Sequence, residues 1–221
     1  MIIIFGDSIT NRADDLGNGG WTSRLWQTIR VTHFVDHEGI KVAKHSLMEL
    51  GIGGDTIVGI SKRIESELKT RIDITKSQID DVIVGIAVGI NDSRFNRSLQ
   101  TEEVPLETFK ETYQLVVDQL NEIGIKPFLV GITPCNQKLC DPVLYTENLD
   151  TYQNDRIRKY DRAVFEIAQK KGLIFVDIFE RFSELVDELG EDIILPDGLH
   201  PNSIGHQLIA DCVYEKIKPI I

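Results

Sequence analysis

The chain has 221 residues, 42% of them hydrophobic. A chain of this length buries about 70% or more of the surface it exposes when unfolded, enough for a core that needs neither disulfides nor metal. With 35 acidic against 24 basic residues the formal net charge is −11, which argues against nucleic acid and anionic lipid as partners. No Ser/Pro/Gly-rich linker divides the sequence and no apolar run approaches the ~18 residues of a spanning helix, so one domain covering residues 1–221, without an integral membrane segment, is expected.

The start, Met1 to Gly6, has no basic region and too short an apolar run for a secretion signal. Cys135, Cys140 and Cys212 leave at least one thiol unpaired, which fits a reducing compartment. A cytoplasmic protein is expected. Ile2 to Phe5 reads as the first strand, and Gly6-Asp7-Ser8-Ile9-Thr10 follows it. A serine at a sharp strand-to-helix turn exposes its hydroxyl at the top of a sheet; the plain alternative is a helix N-cap. In the helical pattern beyond, Trp26 is expected in the core and Trp21 near a pocket rim. His33 and His37 share a His-x-x-x-His spacing, but the segment looks strand-like and no Glu follows the first His, so no metal site is expected there.

Lys41 to Ser46 reads as the second strand, and after it comes Glu49-Leu50-Gly51-Ile52-Gly53-Gly54-Asp55-Thr56, glycine-rich and opening a helix. It fails the dinucleotide pattern, because Thr56 stands where a third glycine belongs, and no Gly-Lys-Ser/Thr makes it a P-loop. Backbone N–H groups offered to an anion are the better use; a tight turn is the plain one. Asp81 to Val88 is the third strand and ends in Gly89-Ile90-Asn91-Asp92, where a side-chain amide can donate to a developing oxyanion or simply form a polar turn.

A helix is expected from Pro105 to Glu122, with Leu106, Phe109, Tyr113, Val116, Leu120 and Ile123 on its apolar face and Gly124 as its stop. The strand Pro127 to Ile132 follows, then a helix from Tyr152 to Lys171 and a strand from Leu173 to Val176. The segments Ser93 to Glu103 and Cys135 to Asn148 follow strand ends and are candidate walls of a pocket. Asp197-Gly198-Leu199-His200 puts a carboxylate and an imidazole in one turn, so that one ring nitrogen can be held while the other faces outward; a capped surface turn is the alternative. The last helix begins near Asn202, with Ile204, Leu208, Cys212 and Val213 expected inward and no role assigned to His206.

Strands apolar on both faces, alternating with helices, imply right-handed crossovers and a three-layer α/β/α doubly wound fold with a five-stranded, mostly parallel, flavodoxin-like sheet. In such folds ligands sit at the carboxyl ends of the strands, where four of these signals converge. Together they supply a nucleophile, a base, its orienter and a charge stabiliser.

With these residues in place the sequence resembles the SGNH hydrolase superfamily, the GDSL lipase/esterase family, over most of its length. Gly6-Asp7-Ser8 is similar to the first family block, with Ile9 where Leu is usual. Gly51 to Thr56 resembles the second, which often begins with Asn where Glu49 stands; Gly89-Ile90-Asn91-Asp92 resembles the third and Asp197-x-x-His200 the fifth. The resemblance implies Ser8 as nucleophile, His200 and Asp197 completing the triad, and Gly54 N–H and the Asn91 amide as oxyanion donors. It implies a serine esterase or acylhydrolase that cleaves a carboxylic ester or thioester of a small molecule, with a small acyl group such as acetyl, and uses no cofactor or metal. A carbohydrate- or acyl-ligand-binding protein on the same fold is the alternative; a nucleotide-binding domain is a weaker one. Oligomeric state is not legible.

Overall fold

In the computed structural model, which describes residues 1–13, 15, 17–72, 81–143, 146 and 149–221 (residue 37 in its backbone only), the elements run β1 (Ile2–Gly6), α1 (Gly20–Thr32), β2 (Phe34–His37), β3 (Ile40–Ala43), β4 (Leu47–Gly51), α2 (Ile57–Arg71), β5 (Ile83–Ala87), β6 (Phe95–Asn96), β7 (Thr101–Glu102) and α3 (Leu106–Glu122). Then come β8 (Phe128–Val130), α4 (Gln137–Cys140), α5 (Asn154–Lys171), β9 (Phe175–Val176), α6 (Phe179–Leu189), α7 (Glu191–Ile194) and α8 (Ser203–Ile217).

Ile2, Ile3, Ile4 and Phe5 are fully buried on both faces of β1, which only the centre of a helix-covered sheet provides. Burial of each such side chain contributes about 1.5–3 kcal/mol. The five-stranded sheet has the order β4-β1-β5-β8-β9, and every neighbouring pair is parallel. From β1 the chain steps outward to β4 and then returns to β5 on the other side of β1. The strand order therefore reverses between β1 and β5, the place where sheets of this kind bind ligands, and the segments after these two strands carry Ser8 and Asn91. α1 packs on α8, while α2, α3 and α5 pack in a row. The rings of Tyr113 and Tyr160 meet Phe109 edge-on at 5.4 and 4.9 Å.

Four expectations need correction. The second strand of the sheet is Leu47–Gly51, whereas Lys41 to Ser46 contributes to β3 of a small hairpin outside the sheet. Glu38 and Gly39 turn that hairpin with φ of 54° and 90°, the left-handed pair that two-residue hairpins favour. β4 escaped notice because it is a half-exposed edge strand of Leu, Met and Glu, which carries no two-faced apolar run. Of the two tryptophans, it is Trp21 that is fully buried, while Trp26 packs partly buried against the core, because Trp21, Leu25 and Ile29 recur every four residues and fix the inward stripe of α1. Ile204 is exposed, since α8 turns His206, Ile209, Ala210, Val213 and Ile217 inward. Finally, Ser8 does not open a helix; α1 starts only at Gly20. Part of the anticipated wall, residues 144, 145, 147 and 148, lies outside the described residues.

Candidate active site

The turn after β1 is tied from inside. Asn11 N–H donates to Asp7 O (3.0 Å), Ala13 N–H to Ser8 O (3.0 Å), and Ile9 N–H to Asp7 Oδ1 (3.0 Å). This single helical turn leaves the Ser8 hydroxyl at the strand end. Gly6 is required where the turn folds back on β1: a Cβ there would stand 2.1 Å from Thr10 Oγ1 and 2.6 Å from Ala87 O.

Ser8 Oγ lies 2.8 Å from His200 Nε2, across 192 positions of sequence. His200 Nδ1 is 2.6 Å from Asp197 Oδ2, while the other Asp197 oxygen accepts the N–H groups of Leu199 (2.8 Å) and His200 (2.7 Å). Burial opposes the Asp197 charge, but the bond from the His200 ring and the two N–H bonds outweigh it and hold the carboxyl down at about 2. An ionised acceptor on Nδ1 keeps the proton there, so Nε2 acts as the acceptor for the hydroxyl. The Asp197 turn is carried by Gly198 at φ 94°, which packs on Leu139 and Cys140 of α4, and by Asn136 N–H, which donates to Gly198 O (2.8 Å).

The glycine-rich segment follows β4. Asp55 N–H bonds Ile52 O (3.1 Å), closing a turn whose third residue, Gly54, sits at φ 77°, where a side chain would be strained. Ile52 N–H bonds Gly6 O (3.0 Å), which fastens this turn to the end of β1. From the β5 side the buried Asn91 amide donates to Asp55 O (3.0 Å), and Tyr152 Oη donates to Asn91 Oδ1 (3.3 Å). The structure thus gathers all five singled-out positions at the carboxyl ends of β1, β4 and β5. Ser8, Asp197 and His200 are directly bonded, and the Gly54 turn is linked to Asn91 through Asp55.

Several residues around the site carried no sequence signal. Arg63 on α2 donates to Asp55 Oδ2 (2.9 Å) and Leu50 O (2.8 Å), so it holds the loop from below. His206 accepts from Trp21 N–H at Nδ1 (3.2 Å) and donates from Nε2 to Ala13 O (3.0 Å), which fixes its tautomer and fastens the segment beyond Ser8 to α8. Arg24 bonds both Asp15 and Ser203 and adds a second strap. Buried polar groups of this kind interrupt the apolar pattern without announcing a partner. Among the described residues, no group of three or more His, Cys, Asp or Glu side chains stands close enough to hold a metal ion.

Two buried acids lie behind the site. Burial pushes Asp7 up to about 7 and Asp92 up to about 8, against the bonds they accept from Ile9 and Ile57 N–H. Each holds its proton more tightly folded than unfolded, where the ordinary value is 3.8. Their contribution to stability is therefore complete below pH 3.8 and is lost as pH rises toward 7 and 8; the depressed Asp197 does the opposite, losing its contribution as pH falls from 3.8 toward 2. Asp92→Asn removes the Asp92 titration. Its melting temperature relative to wild type should rise between pH 5 and 8.5 by at least about 2–4 °C, the equivalent of about 1 kcal/mol in a chain of this size. Thermal unfolding at three pH values checks this, and a constant difference would refute it.

A hydroxyl bonded to an oriented imidazole, with a glycine turn and a buried amide at the switch point of the sheet, is the apparatus of a serine esterase. The sequence model of the GDSL-like lipase/acylhydrolase family matches residues 4–208, and the chain belongs to that family of ester-bond hydrolases. It is 26% identical to an acetylxylan esterase from Geobacillus stearothermophilus, over 98% of this chain and 93% of that one. It is also 26% identical to the isoamyl acetate-hydrolyzing esterase 1 homolog of Bos taurus, over 94% and 77%. Its fold is similar to the crystal structure of an acetylxylan esterase from G. stearothermophilus (TM-score 0.70, 20% identity, 98% of this chain and 93% of that one). An alpha/beta hydrolase enzyme from the metagenome of Lake Arreo, Spain, gives TM-score 0.72 at 20% identity, over 100% and 95%. Crystal structures of the Geobacillus enzyme include variants described as catalytic mutants, in which alanine replaces a serine, an aspartate or a histidine. No described helix is long and apolar enough to cross a membrane.

Proposed function

We propose that this protein hydrolyses esters of small acyl groups, acetyl foremost, through an acyl-enzyme on Ser8. Ser8 Oγ attacks the ester carbonyl as His200 Nε2 takes its proton, and Asp197 stabilises the imidazolium. The Ser8 and Gly54 N–H groups and the Asn91 amide hold the oxyanion. His200 returns the proton to the leaving alcohol, and water repeats the sequence on the acyl-enzyme. These steps call on no cofactor. The bonded series from Ser8 Oγ to His200 (2.8 Å) to Asp197 (2.6 Å) carries the reading, and the serine, histidine and aspartate replaced in the Geobacillus catalytic mutants support it.

Small acyl preference is supported by the two relatives named for acetate esters. The net charge of −11 supports a small-molecule ester rather than nucleic acid as partner. Free thiols at Cys135, Cys140 and Cys212 support the cytoplasm as the working compartment, with residues 1–221 acting as one hydrolase domain. A panel of aryl esters from acetyl to octanoyl tests the substrate. The expectation is that kcat/KM falls by about 10-fold or more with the added chain length, each methylene in a restrictive pocket costing about 1–3 kcal/mol. A profile that is flat, or that rises toward octanoyl, contradicts it.

A further inference from the structure

Asn91 and Asp92 are consecutive, and each grips the segment that follows the Gly54 turn. The Asn91 amide donates to Asp55 O (3.0 Å); Asp92 Oδ1 accepts the N–H of Ile57, the first residue of α2 (3.0 Å). One side chain holds a carbonyl and the next holds an N–H two residues further on, so the end of β5 clasps the loop at two points. A rigid clasp of this kind fixes how far the Gly54 N–H stands from the Asn91 amide. Asp92 is completely buried, and its second oxygen, Oδ2, has no hydrogen-bond partner among the described residues.

We infer that Asp92 is a positioning residue for the oxyanion donors: as a hydrogen-bond acceptor it anchors the start of α2, and through it the Gly54 turn, against Asn91. The inference rests on the acyl-transfer reading above. The titratable groups that interact with Asp92 include Asp7 at the end of β1, Asp55 before α2, Tyr113 on α3 and Tyr160 on α5. Burial pushes Asp92 up to about 8, so it is mostly protonated at neutral pH and its work there is done by a neutral carbonyl-type oxygen. An asparagine side chain supplies the same acceptor in the same shape; valine, branched at Cβ instead of Cγ, fills the space with methyl groups and supplies none.

The test is a set of variants assayed at pH 7, with the folded, reactive fraction counted by active-site titration. Asp92→Val is expected to lower kcat per active site by about 10- to 100-fold with KM within about twofold, because displacing catalytic groups by about 1 Å costs up to 10²-fold. Asp92→Asn is expected to stay within about threefold of wild type, and adding Asp92→Val to Asn91→Ala should cost less than about threefold further, since residues acting as a unit are not additive. If Asp92→Val does not fold, Asp92→Ser, whose short hydroxyl does not reach Ile57 N–H, carries the same expectation. The inference is overturned if kcat per titrated site is unchanged in Asp92→Val, if Asp92→Asn loses as much as Asp92→Val, or if the two losses multiply in the double variant. Failure of the acyl-transfer reading looks different: Ser8→Ala would then retain activity whatever stands at position 92.

Discussion

Ser8→Ala should leave the fold intact and remove ester hydrolysis almost completely, by about 10⁴- to 10⁶-fold in kcat, the range seen when the nucleophile of a well-studied serine protease is deleted. The hydroxyl is partly exposed at the end of β1 and bonds the His200 ring (2.8 Å), so its loss leaves little buried polar surface unpaired. Melting temperature should therefore move by no more than a few degrees while turnover collapses. Steady-state kinetics on an acetyl ester together with a thermal scan reads both. Loss of activity accompanied by unfolding would assign Ser8 a structural part, and retained activity would remove it from the chemistry.

Asn91→Ala carries the second largest effect. Its amide is buried, with Oδ1 bonded by Tyr152 and one Nδ2 hydrogen given to Asp55 O, which leaves the second hydrogen as a donor at the strand end. Deleting one oxyanion donor costs about 10²- to 10³-fold in kcat, and the expected signature is a fall in kcat at nearly constant KM, because the bond forms to the transition state rather than to bound ester. A rise in KM with kcat preserved would instead mean that Asn91 binds substrate in its ground state. Some stability should go as well, since the Asp55 carbonyl loses its partner.

Much of this arrangement was legible in the sequence, and the reasons are local. Ile2 to Phe5 and the strands near Ile83 and Phe128 are apolar on both faces, and only a covered parallel sheet asks for that. The glycines were legible too, because close approach at Gly6 and positive φ at Gly54 are backbone demands that no other residue meets well. What escaped was decided by tertiary pairing. Leu47–Gly51 becomes a strand because β1 offers it an edge, not because its own pattern alternates. On α8 Val213, Leu208 and Cys212 do face the core, but Ile204 was misplaced because the inward stripe includes His206, a polar residue made buriable by partners on Trp21 and Ala13, 185 and 193 positions away. The bonding roles of Asp92, named only as part of a motif, and of Arg63 escaped for the same reason: a buried polar group shows its purpose only when the backbone it serves is in view.

The account depends on Ser8 being activated by His200. Labelling with a fluorophosphonate, followed by mass spectrometry of the modified peptide, reads that directly. One adduct per chain is expected, on Ser8, with the labelling rate falling by orders of magnitude in His200→Ala while the fold persists. An intact wild-type protein that takes no label, or that labels at Ser8 as fast without His200 as with it, would contradict the account.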